Sequence, residues 1–455
     1  MEGTLRGRII RGIGANAFGQ GVNAAVQIIS VPLFLYFWGK ELYGEWLIVF
    51  AAPAYLLMSD IGFSGVAGNE MTMLVARSRR REALEVFQSV WVLVSGVSVV
   101  LTALIFVLLT ILTPEGYLES WFNLALMSSS EVSLILATLS VYVLLVLQGG
   151  LFDAGFRCEG NYALGVFYSN LVRVFEWGLA FLATALGATP LIAASALLTG
   201  RAVGVFAQRA ALRRKSPWIV YSLKRAKLST VKRLAIPAFA FMGFPLGNAV
   251  IIQGMVLAVG VVLGPVAVVV FSAYRTVTRV AAQLSAMIYH TVWPELSSAY
   301  SAGDLGLARN LYHRAASASL WITLALVSML AVSGHWIIAL WTNNAVDSNI
   351  TLLYLMLGVV VADALWQTSR IVLVSANRHT RIAAVYLGAA GAAVLLSYIL
   401  MPKIGVEGAA LGLLVANIAI IPHATKGALA LLQDKLLPYL TALALPPIVS
   451  RGLKR

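Results

Sequence analysis

The chain has 455 residues, of which 60% are hydrophobic and 11% charged, with 33 Lys and Arg against 19 Asp and Glu and a net charge of +14. Soluble domains carry about a quarter charged residues, so the composition excludes an ordinary cytosolic enzyme and a disordered chain; the single Cys158 excludes a disulfide scaffold. What is left is an all-α polytopic membrane protein, since a helix crosses the bilayer with roughly 20 apolar residues.

Apolar stretches predict twelve spans, at 14–38, 44–66, 86–112, 131–151, 163–186, 189–208, 234–259, 264–288, 314–340, 350–374, 381–401 and 406–431. Ala15-Asn16-Ala17 has the form of a cleavage site but precedes the first apolar run, so no signal peptide is expected. The longest polar stretch separates six spans from six. It predicts an N-terminal bundle over 1–212, a basic linker over 213–233 and a C-terminal bundle over 234–455. A shift of 225 residues lays Asn23-Ala24 on Asn248-Ala249 and Gly39 on Gly264, as a duplication would. Pro32, Pro53, Pro237, Pro245 and Pro422 fall inside spans, as packing kinks or as bends for alternating access. The run 436–449 is too short to cross and holds three prolines, so it is expected at the interface.

With a cytoplasmic N-terminus, 26 basic residues fall on inner segments and two, Lys40 and Lys403, on outer loops. That asymmetry is the positive-inside signal and places both termini in the cytoplasm. It explains most of the net charge as topology, with some attraction to anionic membrane lipids, and leaves no case for nucleic acid. No phosphate-binding loop, zinc motif or nucleophile elbow is present, so no cofactor, metal or catalytic residue is expected. The five histidines are scattered, and the longest outer loop, 113–130, is short for an acceptor site.

Polar residues recur at helical spacing inside four spans. The first carries Asn16, Gln20, Asn23 and Gln27, and the eighth carries Ser272, Arg275, Arg279 and Gln283. The fifth carries Asn170, Arg173 and Glu176, and the tenth carries Asp363, Gln367 and Arg370. Arg201, in the sixth, completes a set of five intramembrane arginines. A central Arg costs roughly 2.5–3.5 kcal/mol on insertion scales, so these side chains pair with acids or line water. The bland reading makes helix-locking pairs of Arg173 with Glu176 and of Asp363 with Arg370, and lets Arg201 snorkel to the inner surface. It does not absorb Arg275 and Arg279, one turn apart with no acid on their own helix, which therefore are the strongest candidates for an anion site. Asp60, Glu176 and Asp363 are the acids nearest membrane depth and the candidates for coupling to a proton or Na⁺.

Several motifs, in order, resemble the bacterial polysaccharide exporters of the multidrug/oligosaccharidyl-lipid/polysaccharide superfamily, nearest to the O-antigen (Wzx-type) flippases. They are Pro32-Leu33-Phe34, Gly39-Lys40-Glu41-Leu42-Tyr43-Gly44-Glu45-Trp46, Asp60-Ile61-Gly62-Phe63, the basic turn 77–81, Glu159-Gly160-Asn161 and Gly405-Val406-Glu407-Gly408. The resemblance implies two pseudo-symmetric six-helix bundles around a central cavity in the inner membrane. It implies transfer of a polyprenyl-diphosphate-linked oligosaccharide to the outer leaflet, with polysaccharide polymerase machinery as a downstream partner. Arg173, Arg201, Arg275, Arg279, Arg370 and the Asn/Gln stripe would then bind the diphosphate or acidic sugars. The related peptidoglycan-precursor flippases usually carry two further C-terminal spans, which are not among the twelve spans expected here. A cation or multidrug antiporter of the same fold is one alternative, and a membrane-embedded sugar polymerase or transferase another.

Overall fold

The computed structural model describes residues 2–60, 62–114, 116–376 and 378–446, and every regular element among them is helical. Helix α1 (Glu2–Ala51) passes through Pro32 and turns at Gly39. There φ is 75° and ψ 177°, a conformation essentially restricted to glycine. A 3₁₀ segment, Pro53–Asp60, and α2 (Phe63–Ala76) follow. The expected span 44–66 is therefore not one helix: Pro53 opens the tighter 3₁₀ turn, and Gly62, at φ 75°, breaks the chain again before α2. The first unit continues through α3 (Arg80–Leu112), the short α4 (Tyr117–Phe122), α5 (Ser129–Cys158), α6 (Tyr162–Ala185), α7 (Pro190–Lys215) and most of α8 (Leu228–Ala249).

A π turn, Val250–Gly254, joins α8 to α9 (Met255–Leu263). Then come α10 (Pro265–Ser301), α11 (Leu305–Trp341), α12 (Ile350–Ser375), α13 (Thr380–Ile404), α14 (Glu407–Leu431) and α15 (Leu436–Ala444).

Among the described residues nine stretches are long and apolar enough to cross a membrane, and one of them, Gly14–Ala76, holds both of the first two spans. Helices α6 and α10 fall outside the nine. They are the ones carrying Arg173 with Glu176 and Arg275 with Arg279, which lower their hydropathy. With them the crossings number the expected twelve.

The helices form two compact units, one ending at Pro245 and the other beginning at Leu246, so the division falls inside α8. The 213–233 segment is docked on the first unit. Trp218 Nε1 donates to Glu159 Oε1 at 2.6 Å, and Gln88 Nε2 donates to the Val220 carbonyl at 2.7 Å. Lys227 and Arg233 form ion pairs with Glu85 at 2.8 Å and Glu70 at 2.6 Å. Burial of Tyr221 against Phe87 and Phe152 raises its phenol pKa, with nearby Arg209 opposing.

The two units repeat each other's turns. Gly264 has φ 85° and ψ 175°, the conformation of Gly39, its partner in the 225-residue shift. Ser78 (φ 62°) and Gly303 (φ 76°), related by the same shift, close the α2/α3 and α10/α11 hairpins. Each unit also has a helix pair in close contact through small residues. A Cβ on Gly200 of α7 would lie 2.5 Å from the Glu176 Cα of α6, and one on Gly204 would overlap Val172. Gly408 and Gly412 of α14 meet Met401 and Ser397 of α13 in the same way.

Nine-residue α15 packs along α11, with Tyr439 stacked on Tyr312 at 5.0 Å, Ser317 Oγ donating to the Leu445 carbonyl and Trp321 Nε1 to that of Leu443. Leu436, Leu437 and Leu440 stay exposed, as suits an interfacial segment. The last three residues of the 436–449 run and the basic residues Arg451, Lys454 and Arg455 lie outside the described residues.

Candidate functional site: polar clusters at membrane depth

In the first unit, the stripe on α1 is divided between a neighbouring helix and open surface. Asn16 Oδ1 accepts from the Tyr162 hydroxyl at 3.2 Å, and Asn23 Oδ1 accepts from Arg173 Nη1, both partners lying on α6. Gly19 permits this approach, because a Cβ there would sit 2.6 Å from Asn170 Nδ2. Gln20 is exposed and Gln27 half-buried.

Deeper in the same unit, Glu176 and Arg201 are 0% and 6% exposed. Arg201 Nη2 donates to Glu176 Oε1 at 2.7 Å, while Nε lies 2.6 Å from Oε2 as an ion pair off the hydrogen-bond axis. Tyr142 on α5 donates its hydroxyl to Glu176 Oε1 at 3.1 Å, and its ring lies 5.6 Å from the Arg201 guanidinium carbon. Two readings of the sequence are corrected here. Arg201 does not snorkel, and Glu176 pairs with it rather than with Arg173. The reason is the close α6/α7 approach at Gly200 and Gly204, which delivers Arg201 to Glu176 across the interface; Arg173 points to α1 instead.

Two further acids of this unit are held by hydroxyls. Asp60 Oδ1 accepts from the Ser64 amide at 3.0 Å and the Ser64 hydroxyl at 2.8 Å, tying the 3₁₀ segment to α2. Asp153 Oδ1 accepts from Ser169 Oγ at 2.8 Å, and Ser169 Oγ in turn accepts from Gln208 Nε2 at 2.9 Å.

In the second unit the intramembrane arginines lie on α10 and α12. Arg275 Nη1 donates to the Ile252 carbonyl at 2.9 Å. Ile252 lies in the π turn, where the shifted bonding pattern re-aims carbonyls. Arg279, one turn further along α10, is half-buried and makes no hydrogen bond or ion pair among the described residues. Asp363 on α12 is the acid whose field it feels, alongside the Tyr386 phenol. Asp363 Oδ1 accepts from Gln367 Nε2 at 3.1 Å and also feels Arg370. The Arg370 guanidinium carbon sits 6.0 Å from the Trp366 ring, which is fixed by a 2.9 Å bond from its Nε1 to Asn417 Oδ1. Asp363 thus lies in the field of both Arg279 and Arg370, with Arg275 one turn from Arg279 on α10.

Sequence reasoning missed Glu45. It is 1% exposed and accepts three backbone amides of the loop before α5, from Ala125 at 2.6 Å, Leu126 at 2.8 Å and Met127 at 2.7 Å. Its place in the Gly44-Glu45-Trp46 motif was the available signal. Tyr142 and Asn417, lone polar groups on apolar helices, gave none. Among the described residues no group of three His, Cys, Asp or Glu is placed to hold a metal.

No family model and no curated protein matches the chain in sequence. Solved structures do match in fold. An inward-facing multidrug resistance MATE family transporter of the MOP superfamily superimposes with a TM-score of 0.66 at 16% identity, over 90% of this chain and 98% of the other. The lipid II flippase MurJ, in an inward closed conformation, superimposes with a TM-score of 0.68 at 14% identity, over 96% and 90%. An outward-facing MATE transporter gives 0.57 at 14% identity, over 94% and 95%. The chain thus has the multi-pass helical fold these transporters share, about twelve helices in two bundles.

Proposed function

We propose that this chain is a flippase carrying a polyprenyl-diphosphate-linked oligosaccharide, an O-antigen or exopolysaccharide repeat unit, from the cytoplasmic to the outer leaflet of a bacterial inner membrane by alternating access. The observation that carries the proposal is Arg279, a half-buried guanidinium with no hydrogen bond among the described residues, one helical turn from Arg275. A guanidinium has five donors in a planar fork, and Arg279 spends none of them among the described residues, so it offers a diphosphate a bidentate pair of charge-assisted hydrogen bonds. In the first unit Arg173 offers an anion contact of its own, while Arg201 is committed to Glu176. Asp363, which lies in the field of Arg279 and Arg370, is the coupling acid: it offsets the arginines when substrate is absent and is released to a proton or Na⁺ when the diphosphate arrives. The likeness in fold to the lipid II flippase MurJ supports a lipid-linked substrate.

The competing reading is a multidrug or cation antiporter, favoured by the MATE neighbours. It makes Asp363 the binding group and the arginines dispensable. The test is the double variant Arg275→Ala/Arg279→Ala, scored for membrane level, surface glycan and lipid-linked precursor. Each lost charge-assisted bond costs about 1.5–3 kcal/mol, roughly ten- to a hundredfold in affinity. Normal protein level with lost glycan and precursor trapped inside is expected; normal level with normal glycan would overturn the proposal.

A further inference from the structure

A second basic cluster lies well away from these arginines in sequence, at the end of the second unit that the distribution of basic residues assigns to the cytoplasm. A cavity of about 600 Å³ opens where α12 ends, α13 begins and α14 makes its last turns. Its walls are of two kinds. Arg378, Arg381, His423 and Lys426 supply the polar part, while Ile382 and Val385 belong to the larger apolar part. No acid lines it. Arg378, Arg381 and Lys426 are exposed and form no ion pair among the described residues, in contrast to the first unit's cytoplasmic collar, where Glu70, Glu85 and Glu159 neutralise Arg233, Lys227 and Arg80. The opening turn of α13 adds amides that helical bonding leaves unmatched.

We propose that this cavity is a binding site for an anionic glycerophospholipid of the inner leaflet. The phosphate would sit among Arg378, Arg381 and Lys426, and the start of an acyl chain along Ile382 and Val385. The chemistry on the two walls selects this ligand. A cluster of bases without an acid attracts phosphate, but a free phosphate has no use for the apolar wall, and a zwitterionic lipid brings its own cation to the same bases. The position fits as well, because Arg and Lys at the ends of spans meet the headgroup layer. The site is independent of the proposed flipping reaction and of the arginines on α10.

The test uses the purified full chain in neutral detergent and counts retained lipid by native mass spectrometry, with thermal stabilisation as a second readout. Phosphatidylglycerol, phosphatidylcholine and inorganic phosphate are the three probes. Each basic residue near a phosphate surface contributes about fivefold in affinity, so Arg378→Ala/Arg381→Ala/Lys426→Ala should weaken phosphatidylglycerol about a hundredfold. Ala430→Trp keeps every charge and fills the apolar side of the cavity. It should also abolish the retained phosphatidylglycerol, while its melting temperature without lipid verifies that it folds. Retention in the triple variant, retention in Ala430→Trp, equal binding of phosphatidylcholine, or equal stabilisation by inorganic phosphate would each overturn the proposal. The first and third would show that the bases do not select the ligand, and the second and fourth that the apolar wall takes no part.

Discussion

Replacing Glu176 by Gln tests whether the Arg201, Glu176 and Tyr142 cluster holds the first unit together. Gln keeps an acceptor for the Tyr142 hydroxyl, which now donates at 3.1 Å, and removes only the charge. Arg201, 6% exposed, is then left buried without its counter-ion. Breaking a buried pair from one side costs about 3–5 kcal/mol, a large share of a stability of roughly 5–15 kcal/mol. At roughly 2–4 °C per kcal/mol for a unit of this size, the melting temperature should fall by at least about 6 °C. Adding Arg201→Met removes the stranded charge, so the double variant should recover most of the loss. The chain brings its own probe: Cys158 is the single cysteine, 5% exposed in α5, and its reaction with a thiol-reactive dye on heating reports opening of this unit. An unchanged melting temperature in Glu176→Gln, or a double variant no better than the sum of the singles, would refute the reasoning.

Three further outcomes follow from the fold. Gly204→Val forces a branched side chain onto Val172 at the α6/α7 contact; overpacking of this kind costs about 1–3 kcal/mol, and the same dye assay should show a lower melting temperature. Glu45→Ala strips the acceptor from three loop amides, so hydrogen exchange at 125–127 should accelerate by at least tenfold while exchange in the second unit is unchanged. Topology is testable by cysteine labelling. With Cys158→Ala as background, a cysteine at exposed Ser130 should react with an impermeant reagent in intact cells, and one at exposed Lys224 only after lysis.

Much of this molecule is legible in one dimension. Spans are long apolar runs, and crossing a bilayer requires every backbone group to be bonded within its own helix, so composition dictates both the helices and their number. The basic residues dictate the orientation expected, because charge is read segment by segment. Even the single Gly39–Gly264 match in the 225-residue shift carried meaning, since the two share a conformation that side chains forbid. The arginines stood out for the same local reason: a charge in an apolar run is costly wherever the rest of the chain goes.

Partners were another matter. Spacing along one helix suggested Arg173 for Glu176, yet the tertiary structure chose Arg201, 25 residues away, because Gly200 and Gly204 let α7 close on α6. The same spacing made a single face of Asn16, Gln20, Asn23 and Gln27, but packing against α6 bonded Asn16 and Asn23 and left Gln20 exposed. Span 44–66 reads as continuous because hydropathy is blind to the φ of Gly62 and to the 3₁₀ turn that Pro53 opens. A sequence records what each side chain costs to bury; which neighbour repays that cost depends on interhelical distances of a few ångströms, and those exist only once the helices have packed.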